Sequence, residues 1–145
     1  MKFDKPKADI ARKSLLSTLW IFILLNMVYA DILGMLRPGY VDFLDHMGQQ
    51  LSGSTVLFFA ILMEIPIAMI FLSRVLAYRA NRWAHFIAIP LTVLWVVVPA
   101  LMSSLGETTP LSYIFFASVE VITMLIMLWH ISKWPQPARE QGHSW

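Results

Sequence analysis

Four long apolar runs, at about residues 15–36, 55–73, 83–104 and 111–131, alternate with short polar breaks along the whole chain. Each is long enough to carry a helix across a hydrocarbon core about 30 Å thick at about 1.5 Å per residue. Every break has turn chemistry: Arg37-Pro38-Gly39 after the first run, Gln49 to Ser54 before the second, a short arginine-bearing loop after it, and Gly106-Glu107-Thr108-Thr109-Pro110 before the fourth. Val28-Tyr29-Ala30 has the form of a small-x-Ala cleavage site, but the reading taken is an uncleaved first span. Between the first and second runs, residues 40–47 place Tyr40, Phe43, Leu44 and Met47 on one helical stripe, with Asp42, Asp45 and His46 off it. That pattern predicts a short amphipathic helix lying on the outer interface, either as a connector resting on lipid or as a lid over the bundle's mouth. The expected fold is all-α: a four-helix transmembrane bundle forming a single integral membrane domain over residues 1–145.

Composition supports this reading. Hydrophobic residues make up 58% of the chain and charged residues 14%, with a mean hydropathy of +0.65. The absence of cysteine excludes disulfides, thiolate metal sites and iron–sulfur clusters. Lysines and arginines number five in the N-terminal arm, three in the 74–82 loop and two in the C-terminal tail, against one in the 37–50 segment and none in the 105–110 turn. By the positive-inside rule both termini are expected to be cytoplasmic, in the cell's inner membrane. The basic residues thus follow topology, and nucleic acid is not an expected partner.

Within the runs, the carboxylates are what need explaining. Glu64 sits in the middle of the second run, and Pro66 two residues later deprives the carbonyl of Leu62 of its helical donor. Glu120 is close to the middle of the fourth run, on a face with Tyr113, Phe116 and Met127 at spacings of three and four. With antiparallel spans aligned, Asn26, Glu64 and Glu120 fall at similar depth, and Tyr29 lies one turn outward of Asn26. Carboxylates at such depth are costly and mark functional sites by default. Both are expected to face the bundle interior, at least one of them protonated at neutral pH. Asp31 is either part of this site or a polar end to the first helix.

His85 and His130 lie near the basic ends of adjacent spans but have no evident carboxylate to orient them, so neither a metal nor any other cofactor is expected. Tryptophans 20, 83, 129 and 134 are expected in the interfacial aromatic belt.

The segments YADILGML at 29–36 and LMEIPIAMIFLSRVLAYRANRWAH at 62–85 resemble those of a family of small, uncharacterised bacterial four-helix membrane proteins, distantly similar to the DoxX-like group. That resemblance covers most of residues 15–131 and implies four spans, with no activity attached. In layout the chain is also similar to the emopamil-binding type of sterol isomerase. Small multidrug resistance transporters share the four short spans and an embedded glutamate, but theirs lies in the first helix, where this chain has Asn26 and Asp31.

The function expected from these residues is binding, with proton-coupled transport as an extension, of a small amphipathic or cationic molecule at a site made of Glu64, Glu120, Asn26, Tyr29 and Asp31. Two alternatives stay open. One is a membrane-embedded acid/base enzyme, isomerase-like, acting on a lipophilic substrate. The other is a structural or partner-binding subunit. Expected partners are the lipid bilayer and the ligand, with a homo-oligomer also open.

Overall fold

A computed structural model describes residues 5–104 and 111–135, so the expected outer turn at 105–110 and the tail beyond 135 lie outside the described residues. Five helices make up the described chain: α1 (Lys5–Met35), α2 (Tyr40–Gln50), α3 (Gly53–Val75), α4 (Tyr78–Ser104) and α5 (Leu111–Ser132). All but α2 are long and apolar enough to cross a membrane. The expected all-α architecture is therefore present, with four helices that length and composition fit for spans.

Helix limits differ from the hydropathy limits in an informative way. The first helix begins at Lys5, ten residues before the apolar run, because Pro6 suits a first turn and Lys, Ala and Arg propagate helix regardless of hydropathy. For the same reason α4 starts at Tyr78, closed by a 2.8 Å bond from the Asn81 amide to the Ala77 carbonyl. Pro66 does not break α3, which runs unbroken through it for 23 residues.

The four long helices form a ring in which α1 packs on α3 and α5, and α4 packs on the same two. Helices α3 and α5 are therefore diagonal to each other. The core is built from Leu16, Trp20, Ile23 and Met27 of α1, Met69 of α3, Ile89 of α4, and Met124, Met127 and Ile131 of α5. All buried residues described lie toward one end, in α1 from Leu16 to Met27, α3 from Pro66, α4 from Asn81 to Val96 and α5 from Glu120. That end also holds all the described lysines and arginines except Arg37, and we refer to it as the basic end. Toward the α2 end none of the described side chains is fully buried.

Polar bonds close the basic end. The Asn81 side-chain amide donates to the Ser73 carbonyl (2.7 Å), one of the acceptors that a helix terminus leaves without an intrahelical partner. His85 Nδ1 lies 2.8 Å from the Asn81 carbonyl, so Nδ1 carries the proton there, and Nε2 faces the Ser73 hydroxyl at 3.2 Å. Arg74 Nε donates to Ser17 Oγ (3.0 Å), which in turn donates to the Ile70 carbonyl (2.8 Å). Tyr78 donates to the Trp134 carbonyl (2.8 Å), and Arg12 to the Lys133 carbonyl (3.2 Å).

Two sequence expectations are corrected here. Trp20 and Trp134 are buried, not placed in an interfacial belt, whereas Trp83 and Trp129 are exposed as expected. Indole bulk fills the gap where α1 meets the basic ends of the other helices, and Trp20 packs its ring 6.1 Å from that of His85. His85 is fully buried in α4, against Ser73 and Asn81, while His130 meets the ring of its neighbour Trp129 edge-on.

At the other end, Gly39 takes a left-handed φ of 77° and turns the chain from α1 into α2. Helix α2 extends three residues past the expected 40–47 segment and buries no residue. It is held against α1 through Tyr40, whose ring lies 3.3 Å from where a Cβ on Gly34 would stand. A side chain at Gly34 would displace that ring.

Candidate functional site

Glu120 projects from the inward stripe of α5, which continues through Thr123, Met124, Met127 and Ile131. Below it that stripe meets core. At Glu120 and above, the helices have begun to part, and a cavity of about 60 Å3 opens between α1, α3, α4 and α5. Its polar lining is Asp31, Tyr113 and Glu120; its aromatic lining is Trp95 and Phe116, together with Tyr113.

Each lining group is positioned by its own helix. Glu120 is 3% exposed, yet makes no hydrogen bond or ion pair to any described residue. Asp31, in the last turns of α1, is exposed, so the cavity opens at its side. Tyr113 lies two turns from Glu120 along α5, and its hydroxyl reaches the Val96 carbonyl at 3.5 Å. Trp95 is braced by an edge-on contact with Phe59, ring centroids 5.4 Å apart. No lysine, arginine or histidine is among the lining residues.

Of the residues expected at the site, the structure brings together Glu120 and Asp31. Glu64 is elsewhere: it is exposed, on the side of α3 opposite the buried stripe of Pro66, Met69 and Ser73, and it does not line the cavity. The expectation that both mid-span glutamates face the interior is overturned for Glu64. Its cause is rotational, because residue 64 is two positions from Pro66, about 200° around the helix. Asn26 is half-buried and turns its amide back to the Phe22 carbonyl of its own helix (2.9 Å), and Tyr29 is 58% exposed; neither lines the cavity.

Tyr113 and Phe116 were legible as cavity residues from their spacing with Glu120. Trp95 was not, since nothing in its local sequence distinguishes it from the apolar residues around it. Among the described residues no group of three or more His, Asp or Glu side chains is placed to hold a metal ion.

Chemically, two carboxyl groups and three aromatic rings around one small cavity suit a compact cation: the carboxylates supply charge, and the ring faces supply favourable quadrupoles. The volume holds a few water molecules or one ammonium-sized group, well below that of a pocket enclosing a drug-sized molecule.

No curated protein and no solved structure matches this chain. A family model does match, over residues 3–140, which takes in every helix and every cavity residue described above; on that match the chain belongs to the family of unknown function DUF6326.

Proposed function

We propose that this chain is a small integral membrane protein that binds the cationic head of a small amphipathic molecule at the cavity of Asp31, Tyr113 and Glu120, and moves it or exchanges it with protons there. One observation carries the reading. Glu120 is buried at mid-helix without a hydrogen bond or ion pair to any described residue, in a cavity it shares with a second acid and no base. A carboxylate in such surroundings is stabilised by a bound cation or proton, and exchanging one for the other is the elementary step of proton-coupled binding.

The cavity's size restricts the ligand. Only a group as small as a primary or methylated ammonium enters, while the apolar remainder extends past exposed Asp31 toward α2 and the lipid. Titrating the purified protein in detergent with short-chain alkylammonium ions tests this, with tryptophan emission as the signal because Trp95 lines the cavity. Saturable quenching that Trp95→Phe removes is the expected result. No quenching, or equal quenching by uncharged alcohols of the same chain length, would count against it.

Orientation belongs to the same reading. The basic end is placed in the cytoplasm and α2, with its mixed stripe, on the outer interface of an inner-membrane protein. Because the chain lacks cysteine, single substitutions report this directly. Gly48→Cys, where an added Cβ meets nothing within 4 Å, should label from outside intact cells with an impermeant thiol reagent, whereas Arg79→Cys, exposed in the first turn of α4, should label only after lysis. The reverse pattern would invert the topology.

A further inference from the structure

Glu64 is the twelfth of the 23 residues of α3, hence about 16 Å from either end, and it is exposed on the outer surface of the ring. Around it on the same face stand Leu57, Ala60, Ile61, Ala68 and Phe71, a strip that is apolar apart from the carboxyl group. Among the described residues no cation reaches it: the lysines and arginines lie toward the helix ends, and Arg74, the nearest along α3, has its Nε on Ser17. A mid-span carboxyl facing hydrocarbon needs a polar partner from outside the chain.

We infer that this face of α3 is a self-association surface, on which a second copy of the chain packs its own α3 so that the two Glu64 carboxyl groups bond to each other. Three features favour a copy over an unrelated partner. A neutral carboxyl group has one O–H donor and one carbonyl acceptor, so two of them are mutually complementary without any cation. Ala60 and Ala68, four residues to either side of Glu64, leave room for two backbones to approach at that level, as small residues do in membrane helix pairs. Because both copies insert with the same orientation, their α3 helices run parallel, and a twofold axis along the membrane normal sets each Glu64 opposite its counterpart at mid-span. The cavity at Glu120 opens elsewhere and is untouched by this pairing.

The test is subunit counting by fluorescence energy transfer in liposomes, with the full chain diluted progressively in lipid. The unaltered protein should be a dimer. Glu64→Gln, whose amide also both donates and accepts, should retain it, and Glu64→Leu should weaken dimerisation about three- to thirty-fold. Both variants fold alike because residue 64 touches no core. Single cysteines add direction: oxidation should link Leu57→Cys to its own counterpart and Phe71→Cys to its own, as a parallel pair requires, and should not link Ile122→Cys on α5. A monomer at every dilution, a dimer indifferent to Glu64→Leu, cross-linking through Ile122→Cys instead, or a chain that is monomeric alone and captured in cells by a different membrane protein would each overturn the proposal.

Discussion

Glu120→Gln should weaken binding of a short-chain alkylammonium ion about 10- to 100-fold, while Glu64→Gln leaves it unchanged. The substitution preserves the shape and burial of the side chain, so the loss measures charge. A hydrogen bond between a charged pair contributes roughly 1.5–3 kcal/mol, more than the 0.5–1.5 kcal/mol of neutral partners, and the difference is largest where water is scarce. Glu120, at 3% exposure, is in that position. Asp31 is exposed, and water and salt screen its contribution, so Asp31→Asn should cost only about two- to five-fold. Competition with protons gives a second readout: in the unaltered protein affinity should fall as the medium is acidified, because ligand and proton seek the same carboxylate, and Glu120→Gln should flatten that dependence. Titration by tryptophan emission measures all four proteins. Equal losses from Glu64→Gln and Glu120→Gln would mean that the two acids act at one site after all, and no loss from Glu120→Gln would remove this cavity from the protein's function.

The contrast between the two glutamates shows which part of the architecture can be read from residue order. Both occupy the middle of a span, and depth follows from counting at a fixed rise per residue. Direction requires an asymmetry around the helix. Helix α5 supplies one, since Tyr113, Glu120 and Thr123 share a side with the methionines of the core. Helix α3 is apolar on nearly every side, as suits a segment with lipid around much of it, so its sequence contains little to show which side meets protein. Ser73 was the available marker: a hydroxyl one turn below Met69, which pairs with His85, belongs to the buried stripe and fixes Glu64 on the opposite one. The same ambiguity affected Trp20, whose position near a span end fits both an interfacial anchor and a core plug. Hydropathy cannot separate these, because both place a large amphipathic ring at the same depth.

Replacing Trp20 is expected to have the largest effect on stability. Its side chain is fully buried where α1 crosses the basic ends of the other helices, between the Leu16 and Ile23 layers and against the ring of His85. Inside a bilayer, association of helices depends on close packing more than on removal of apolar surface from water, so a void at a helix crossing is felt directly. Trp20→Ala should cost about 3–5 kcal/mol, as truncations of large buried aromatic residues do, and the surrounding methionines can recover only part of it by changing rotamer. Trp20→Phe is the more discriminating change. The indole Nε1 is buried and finds no acceptor among the described residues, so its N–H is a desolvated donor whose removal relieves a cost. That relief offsets part of the lost volume, and the phenylalanine variant should lose no more than about 1–2 kcal/mol. Thermal unfolding in detergent, followed by near-ultraviolet circular dichroism and size-exclusion chromatography, distinguishes these outcomes. A Trp20→Phe variant as unstable as Trp20→Ala would mean that the indole N–H has a structural partner, and the packing at the basic end would then be secondary to that bond.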